Sequence, residues 1–249
     1  MRRVLLVTCC LACCLGCSTL KTTKRWYKDY INPTPKVDLT IQADHECAPK
    51  GFAASFVPVD EKLNLLEREL STQDIYPEDA WFDAFLIRFP WLDRIVAVNV
   101  QGDILTSRDT DFALDDEGVD YLSLCEGDSE KRMPKAHVLS DASGKMVCLS
   151  MPFFRSNVWK GCLIAMFRFD RVVGFAPSPE DLIIADARGD RLWAGRYERI
   201  IADVADRPWN DLLEDQVSGE FGIKEKRFFW LGRAFAGRWL IYAFETREQ

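Results

Sequence analysis

The 249-residue sequence predicts an α+β protein made of two related modules, each an antiparallel sheet with an N-terminal helix. Asn99–Leu105 matches Asp186–Leu192 at an offset of 87 residues, and each segment places a Gly-Asp turn between two apolar strands. Gly161–Phe167 matches Arg238–Phe244 at an offset of 77 residues. Both landmarks recur in the same order, and successive strands are joined without long helices. This pattern indicates a duplicated, antiparallel module.

The first seventeen residues have the pattern of an export signal. Arg2 and Arg3 precede an apolar run of about twelve residues, too short to cross a hydrocarbon core of about 30 Å as a helix. The run ends in Cys14-Leu15-Gly16-Cys17-Ser18, which resembles the lipobox of bacterial lipoproteins. The resemblance implies a signal peptide over residues 1–16 and lipidation of Cys17, which becomes the mature N-terminus.

Three alternatives to this interpretation stay open. Cys14 stands where the lipobox usually has Leu, and Cys13 is a competing lipidation site. An ordinary secretory signal and a membrane-spanning anchor are the other two. If Cys17 is lipidated, its acyl chains, at about 0.8 kcal/mol per buried methylene, hold the protein on a membrane in the cell envelope. Ser18 is not the Asp that signals inner-membrane retention in some bacteria, so we favour the outer membrane.

The anchor is followed by a predicted tether and two helices. Residues 17–59 contain basic side chains near the anchor and then scattered prolines, which indicates a linker. Asp60 is predicted to cap a helix that buries Leu63, Leu66 and Leu70. A second helix lies between Pro77 and Pro90, and core packing best explains its aromatic stripe of Trp81, Phe82, Phe85, Leu86 and Phe89.

The strands fall into two groups, predicted as modules over residues 60–176 and 177–249. The first contains the hairpin Ile95–Ser107 and two closing strands joined at Ser156 and Asn157: Met146–Phe154 and Val158–Phe169. The second begins after Pro177 and Pro179 and contains the hairpin Leu182–Gly195 and three closing strands: Gly222–Arg227, Phe228–Arg233 and Arg238–Thr246.

This order of elements resembles the extracellular Cache sensor domains of bacteria, whose modules have a PAS-like fold. The residues that carry the resemblance are the duplicated turn and the tail: Trp209-Asn210-Asp211-Leu212-Leu213, Ser218-Gly219-Glu220-Phe221 and Gly237-Arg238-Trp239-Leu240-Ile241. The tail is similar to the membrane-proximal module of a double Cache domain. Residues 60–176 are then the membrane-distal module and residues 177–249 the membrane-proximal one.

The resemblance implies a ligand-binding role and a partner. Double Cache domains usually lie between two transmembrane helices and precede a cytoplasmic signalling part, whereas this sequence stops at Gln249. We therefore expect a lipid-anchored extracytoplasmic protein that binds a small molecule and acts through a membrane receptor or transporter. The alternative is a structural or assembly lipoprotein of the cell envelope that uses the fold without a ligand.

Three residues are the candidate ligand-binding side chains. Amino-acid-binding members of the family carry a Tyr, an Arg-x-Trp-Tyr run and a downstream Asp, and the spacing from Arg155 to Trp159 differs from that run. Amino-acid binding is therefore not transferred to this chain. Arg155 and Trp159 flank a predicted hairpin tip, and Tyr121 lies in the acidic stretch before it. We name these three as candidates.

Charge and residue types exclude other classes of function. The net charge of −7 argues against nucleic acid as a partner. The acidic excess is concentrated between Asp109 and Glu130, which contains nine acids and no Lys or Arg, and which we interpret as a solvated loop that could attract a cation. No nucleophile, base or metal-ligand constellation stands out, so we predict no catalytic residue, no metal site, no cofactor and no enzymatic activity.

The cysteines divide by position. Of the nine, five lie in the first seventeen residues, and four remain in the exported part: Cys47, Cys125, Cys148 and Cys162. An oxidising compartment would allow three ways to pair these four, and the sequence does not choose among them. We interpret them as structural or simply buried.

Overall fold

The computed structural model describes residues 50–110, 119–125, 132–141 and 144–246, which pack as one compact unit. Its helices are α1 (Lys50–Ser71), α2 (Asp79–Arg88), α3 (Tyr121–Cys125), α4 (Phe169–Val173), α5 (Ile201–Ala205) and α6 (Trp209–Asp215), with a 3₁₀ turn at Pro179–Asp181. Cys17, Cys47 and seven of the nine acids between Asp109 and Glu130 lie outside the described residues.

Ten strands form two antiparallel sheets of five strands each. The first sheet contains β1 (Arg94–Asn99), β2 (Ile104–Asp109), β3 (Lys135–Asp141), β4 (Gly144–Arg155) and β5 (Val158–Arg168) in the order β2-β1-β5-β4-β3. The second contains β6 (Leu182–Asp186), β7 (Arg191–Trp193), β8 (Ser218–Ile223), β9 (Lys226–Phe235) and β10 (Arg238–Thr246) in the order β7-β6-β10-β9-β8. The two orders are the same, so the duplicated α+β fold is confirmed.

The duplicated turn has the same hydrogen bonds in both sheets. In the first, the Asn99 amide donates to the Asp103 carbonyl over 2.9 Å, and in the second the Asp186 amide donates to the Asp190 carbonyl over 2.8 Å. The glycine of each turn is left-handed, with φ of +86° at Gly102 and +96° at Gly189. A residue with a Cβ is strained at such φ values, which explains why glycine occupies both positions.

Helix α1 spans both sheets. Phe52 contacts the rings of Phe229 and Phe244 in the second sheet, whereas Leu63, Leu66 and Leu70 are fully buried further along the helix. One continuous core contains the α1 side chains together with the inner faces of both sheets. The opposite face of each sheet, which we call its outer face, is also buried, under α3 in the first sheet and under α5 and α6 in the second.

Several predicted boundaries are wrong. Helix α1 begins at Lys50 instead of near Asp60, so the last ten residues of the predicted tether are helical and Asp60 does not cap the helix. Strand β3 was not predicted. The turn between β8 and β9 is at Lys224 and Glu225, not at Arg227, because Lys224 takes the left-handed conformation (φ +56°) that a tight hairpin requires. The division into residues 60–176 and 177–249 stays a prediction.

Candidate functional site

The candidate site is a cavity of about 760 Å³ at the end of the first sheet where the β1–β2 and β4–β5 hairpins turn. Its walls are mostly apolar and aromatic, with two cations at the rim. The lining residues are Ile75, Tyr76, Leu105, Phe153, Phe154, Arg155 and Lys160. This volume lies in the range of small-molecule sites, which are mostly apolar with a few polar groups.

Two β-bulges direct side chains into this cavity. The β1–β2 register shifts between Ala97 and Val98, which leaves Leu105 as the extra residue, and the β4–β5 register shifts at Phe153 and Phe154, which leaves Lys160 as the extra residue. Both extra residues line the cavity. Bulges are frequent next to functional sites because they redirect a side chain out of the regular alternation.

The bulge at Leu105 has a counterpart in the second sheet. There the β6–β7 register shifts between Ile184 and Ala185 and leaves Leu192, which stands 87 residues after Leu105. Leu192 is 8% exposed and belongs to the core, whereas Leu105 is 49% exposed. The same bulge therefore fills the core in one sheet and opens toward a cavity in the other.

The aromatic wall is held in place by local contacts. The Tyr76 ring lies 5.4 Å from the Phe153 ring, and its hydroxyl shares a hydrogen bond of 2.6 Å with the Thr106 hydroxyl. The Phe154 amide donates to the Asp74 carbonyl over 2.7 Å, which fixes the chain before α2 against the end of β4. These contacts support the aromatic wall of the cavity from the segment before α2 and from β2.

The rim is cationic. Arg155 and Lys160 are exposed, and within the described part of the chain neither side chain forms an ion pair or a hydrogen bond. No carboxylate is among the lining residues. A third cation, Arg132, lies 4.2 Å from the Phe154 ring centroid and is paired with Asp74. The cavity thus offers an apolar interior beside uncompensated positive charge.

The sequence-predicted site residues do not all meet here. Arg155 lines the cavity, but Tyr121 and Trp159 pack against the apolar cluster on the outer face of the first sheet. Tyr121 is 7% exposed, and the Trp159 indole donates to the Gly161 carbonyl over 2.9 Å. Tyr121 and Trp159 are therefore brought together, and Arg155 lies apart from them.

Sequence reasoning missed Leu105, Lys160 and Tyr76 as site residues. Leu105 and Lys160 lie in correctly predicted hairpins, but the bulges that redirect them depend on how two strands pair. One sequence signal could have indicated Tyr76: the apolar pair Ile75-Tyr76 precedes Pro77 and lies outside the helix that follows, and both side chains are exposed in the structure.

Other clefts and clusters are less suited to a ligand. A cleft along α1 is lined by polar residues such as Glu61, Asn64 and Arg68. A cleft beside the β8–β9 turn includes Lys226 and Arg196, which are already paired with Glu245 and Asp181. Its lining also contains two carboxylates, Glu198 and Glu225, which offset its remaining cations. Among the described residues no group of three His, Cys, Asp or Glu side chains is placed to hold a metal ion.

Comparison by sequence identifies no relative: no protein-family model matches the chain, and no curated protein sequence matches it significantly. Comparison by structure does. The ligand-binding domain of the Pseudomonas aeruginosa amino acid chemoreceptor PctC, in complex with GABA, matches with a TM-score of 0.54 and 13% identity over 79% of this chain and 97% of that chain.

Two further solved structures match to a similar degree. The ligand-binding domain of the Pseudomonas fluorescens chemoreceptor CtaA, in complex with L-valine, has a TM-score of 0.53 and 11% identity over 80% of this chain and 94% of that chain. An extracellular ligand binding receptor from Desulfohalobium retbaense has a TM-score of 0.51 and 15% identity over 78% of this chain, which spans 38% of that receptor. The chain therefore has the double Cache fold of extracellular sensor domains, with two PAS-like modules in series.

Proposed function

We propose that this protein is a lipid-anchored extracytoplasmic sensor-type protein that binds a small anionic ligand in the cavity of the first sheet. The observation that carries the proposal is the pair of β-bulges that aim Leu105 and Lys160 into one cavity. The structural relatives, which are sensor ligand-binding domains, support a binding role over a catalytic one.

The lining suggests the class of ligand. Arg155 and Lys160 favour a carboxylate or another anion, because no acid of the lining offsets their charge. Ile75, Leu105 and Phe153 favour an apolar body attached to that anion. In this proposal a partner membrane receptor or transporter reads the bound state, and the lipid at Cys17 keeps the protein close to that partner.

The ligand test is a thermal-shift screen of the protein against anionic, neutral and cationic metabolites. A ligand present at a hundredfold excess over its dissociation constant stabilises the folded state by about 2.7 kcal/mol, which raises Tm by several degrees. We expect hits among apolar carboxylates. Arg155→Met and Lys160→Met should each weaken binding about ten- to a hundredfold, because each removes a charge-assisted hydrogen bond of about 1.5–3 kcal/mol.

The matched control is Lys224→Met, which removes an exposed cation at the β8–β9 turn, in the other sheet. This variant should bind as tightly as the parent. If both rim variants bind normally, the ligand occupies another site and the proposal for this cavity is wrong.

The anchor has its own test. Cys17→Ser removes the acceptor of the acyl chains, so the variant should move from the membrane pellet to the supernatant when the envelope fraction is ultracentrifuged. Cys13→Ser is the control and should stay in the pellet. Membrane association that survives Cys17→Ser but is lost in Cys13→Ser would place the lipid at Cys13, and association that survives both substitutions would contradict the lipoprotein assignment. Among the described residues, no helix is long and apolar enough to cross a bilayer.

A second candidate function is a structural or assembly lipoprotein of the cell envelope. The observation that favours it is the packing of the outer faces. In the second sheet the outer face is filled with aromatic side chains, including Trp209, Phe228 and Trp230. In the first sheet it is filled by aliphatic side chains, methionines, thiols and the Tyr121 ring. If none of the metabolites in the thermal-shift screen raises Tm, this second candidate is favoured.

A further inference from the structure

Three thiols lie on the outer face of the first sheet, beneath and at the end of α3. Cys125 is the last residue of α3, Cys148 lies in β4 and Cys162 lies in β5. All three are buried, none exposes more than 5% of its surface, and all are reduced in the structure. All three belong to one cluster, and their positions determine which two can form a disulfide.

Cys125 and Cys162 belong to the same buried cluster, and a hydrogen-bond interaction with the Cys162 side chain raises the pKa of Cys125. This contact joins the end of α3 to the central strand of the sheet. A disulfide needs its sulfurs at about 2.05 Å, so the bond requires α3, a helix of five residues, to bring Cys125 against Cys162.

The strand register excludes the alternative within the sheet. Cys148 pairs with Met166, whereas Cys162 pairs with Pro152, so the two cysteines are offset by four residues along neighbouring strands. At about 3.3 Å per residue this offset is about 13 Å, well beyond the limit of about 7 Å between the Cα atoms of a disulfide. Cys148 and Cys162 therefore cannot be bridged in this fold.

We propose that Cys125 and Cys162 are the site of a disulfide that forms after export and fastens α3 to the first sheet. The oxidant is a disulfide of the exported compartment, carried by a thiol oxidase or by a small molecule. One cysteine thiolate attacks the oxidant disulfide, releases one oxidant thiol and leaves a mixed disulfide. The second cysteine thiolate then displaces the other oxidant thiol. The Cys125–Cys162 bond forms, the oxidant bond breaks, and two electrons and two protons pass to the two released thiols.

Burial determines when this reaction takes place. The thiolate is the reactive form, and the hydrogen bond with Cys162 together with burial raises the pKa of Cys125. Burial also raises the pKa of Cys148 to about 12, which leaves that thiol inert. Exchange at Cys125 and Cys162 therefore occurs while α3 is still away from the sheet, during folding or a local opening.

The first experiment maps the bond in the full chain, exported with its own leader. The protein is denatured in an alkylating reagent, digested without reduction and analysed by mass spectrometry. We expect a cross-linked peptide that contains Cys125 and Cys162, and an alkylated Cys148. Alkylation of all three cysteines, or a cross-link through Cys148, overturns the proposal.

The second experiment compares Cys162→Ala with the matched control Cys148→Ala, both in a Cys47→Ser background. Each variant removes one buried thiol from the same face of the sheet. Reductant should lower Tm by about 10 °C in the background protein and in Cys148→Ala, because the bond closes a long loop. Reductant should leave Cys162→Ala unchanged. An equal fall in Cys162→Ala overturns the proposal, and if that variant fails to fold, the peptide map decides.

Discussion

Among the described residues, His137 is a side chain whose ordinary pKa is near neutral and whose pKa in the fold is strongly shifted. It lies in β3 opposite Cys148, and its Nε2 atom is buried without a hydrogen-bond partner in the described part of the chain. Burial lowers its pKa from 6.5 to about 4. The charges of Lys135, Arg238 and Arg188 act in the same direction, and a hydrogen bond to the Leu124 backbone opposes them.

This shift predicts a pH dependence of stability. Between pH 6.5 and pH 4 the unfolded state holds a proton on His137 that the folded state does not, so the free energy of unfolding falls as pH falls through this window. Between pH 7.5 and pH 4.5 the loss is about 2 kcal/mol. His137→Gln cannot take up that proton. Its free energy of unfolding, measured with urea at both pH values, should therefore fall by about 2 kcal/mol less than that of the parent. Equal losses in the two proteins would show that His137 is not neutral in the fold.

The candidate site could be predicted from the sequence only in part. The turn at Ser156 and Asn157 could be predicted from the sequence, since serine and asparagine are both common turn residues. Both adopt positive φ there, +52° and +62°. The position of Arg155 beside that turn followed. The orientation of Lys160 toward the cavity could not be predicted, because a bulge depends on how two strands pair and has no signal in the sequence of either strand alone.

At the scale of elements, α1 shows how tertiary contacts override a local signal. Pro58 and the scattered prolines before it favoured a linker up to residue 59, because proline inside a helix removes a backbone donor. The helix nevertheless extends back to Lys50. Phe52 packs against Phe229, and Phe56 lies 4.8 Å from the Tyr242 ring, so burial of these aromatics on the second sheet offsets the cost of the proline.

The repeated hairpins were the most predictable elements. Their turns depend on local chemistry, namely a glycine at positive φ and an Asn99 or Asp186 side chain that accepts backbone amides. The strand ends in the second sheet were less predictable. Four consecutive charged residues, Lys224 to Arg227, span the β8–β9 turn, and pairing alone decides which two of them leave the ladder.

At the scale of the whole molecule, the two sheets are joined by a shared core and by polar contacts. The Ala136 amide of β3 donates to the Ala236 carbonyl of the β9–β10 turn over 2.8 Å. Lys145 of β4 lies 3.1 Å from Asp190, in the duplicated turn of the second sheet. The sequence predicted two modules but not this junction, because its contacts come from residues that are ordinary turn and strand residues in their own hairpins.

Lys145 reaches a buried ion pair that lies within the second sheet, between the start of β10 and the end of β6. Arg238 donates to Asp186 over 2.6 Å and to Asp190 over 3.2 Å, and Asp186 is fully buried. Arg238→Met leaves a buried carboxylate without its cation, which costs about 3–5 kcal/mol. We therefore expect a large fall in the urea midpoint. Because the sheets share one core, the transition should remain single.

Two comparisons separate this effect from a simple loss of charge. Lys145→Met removes only the half-buried outer end of the network and should cost less than about 1 kcal/mol. The double variant Arg238→Met with Asp186→Asn removes both charges and should recover part of the loss, because no uncompensated charge remains buried. If Arg238→Met costs no more than Lys145→Met, the Arg238–Asp186 ion pair does not stabilise the fold. Two separate unfolding steps would show instead that the modules fold independently and that the shared core couples them only weakly.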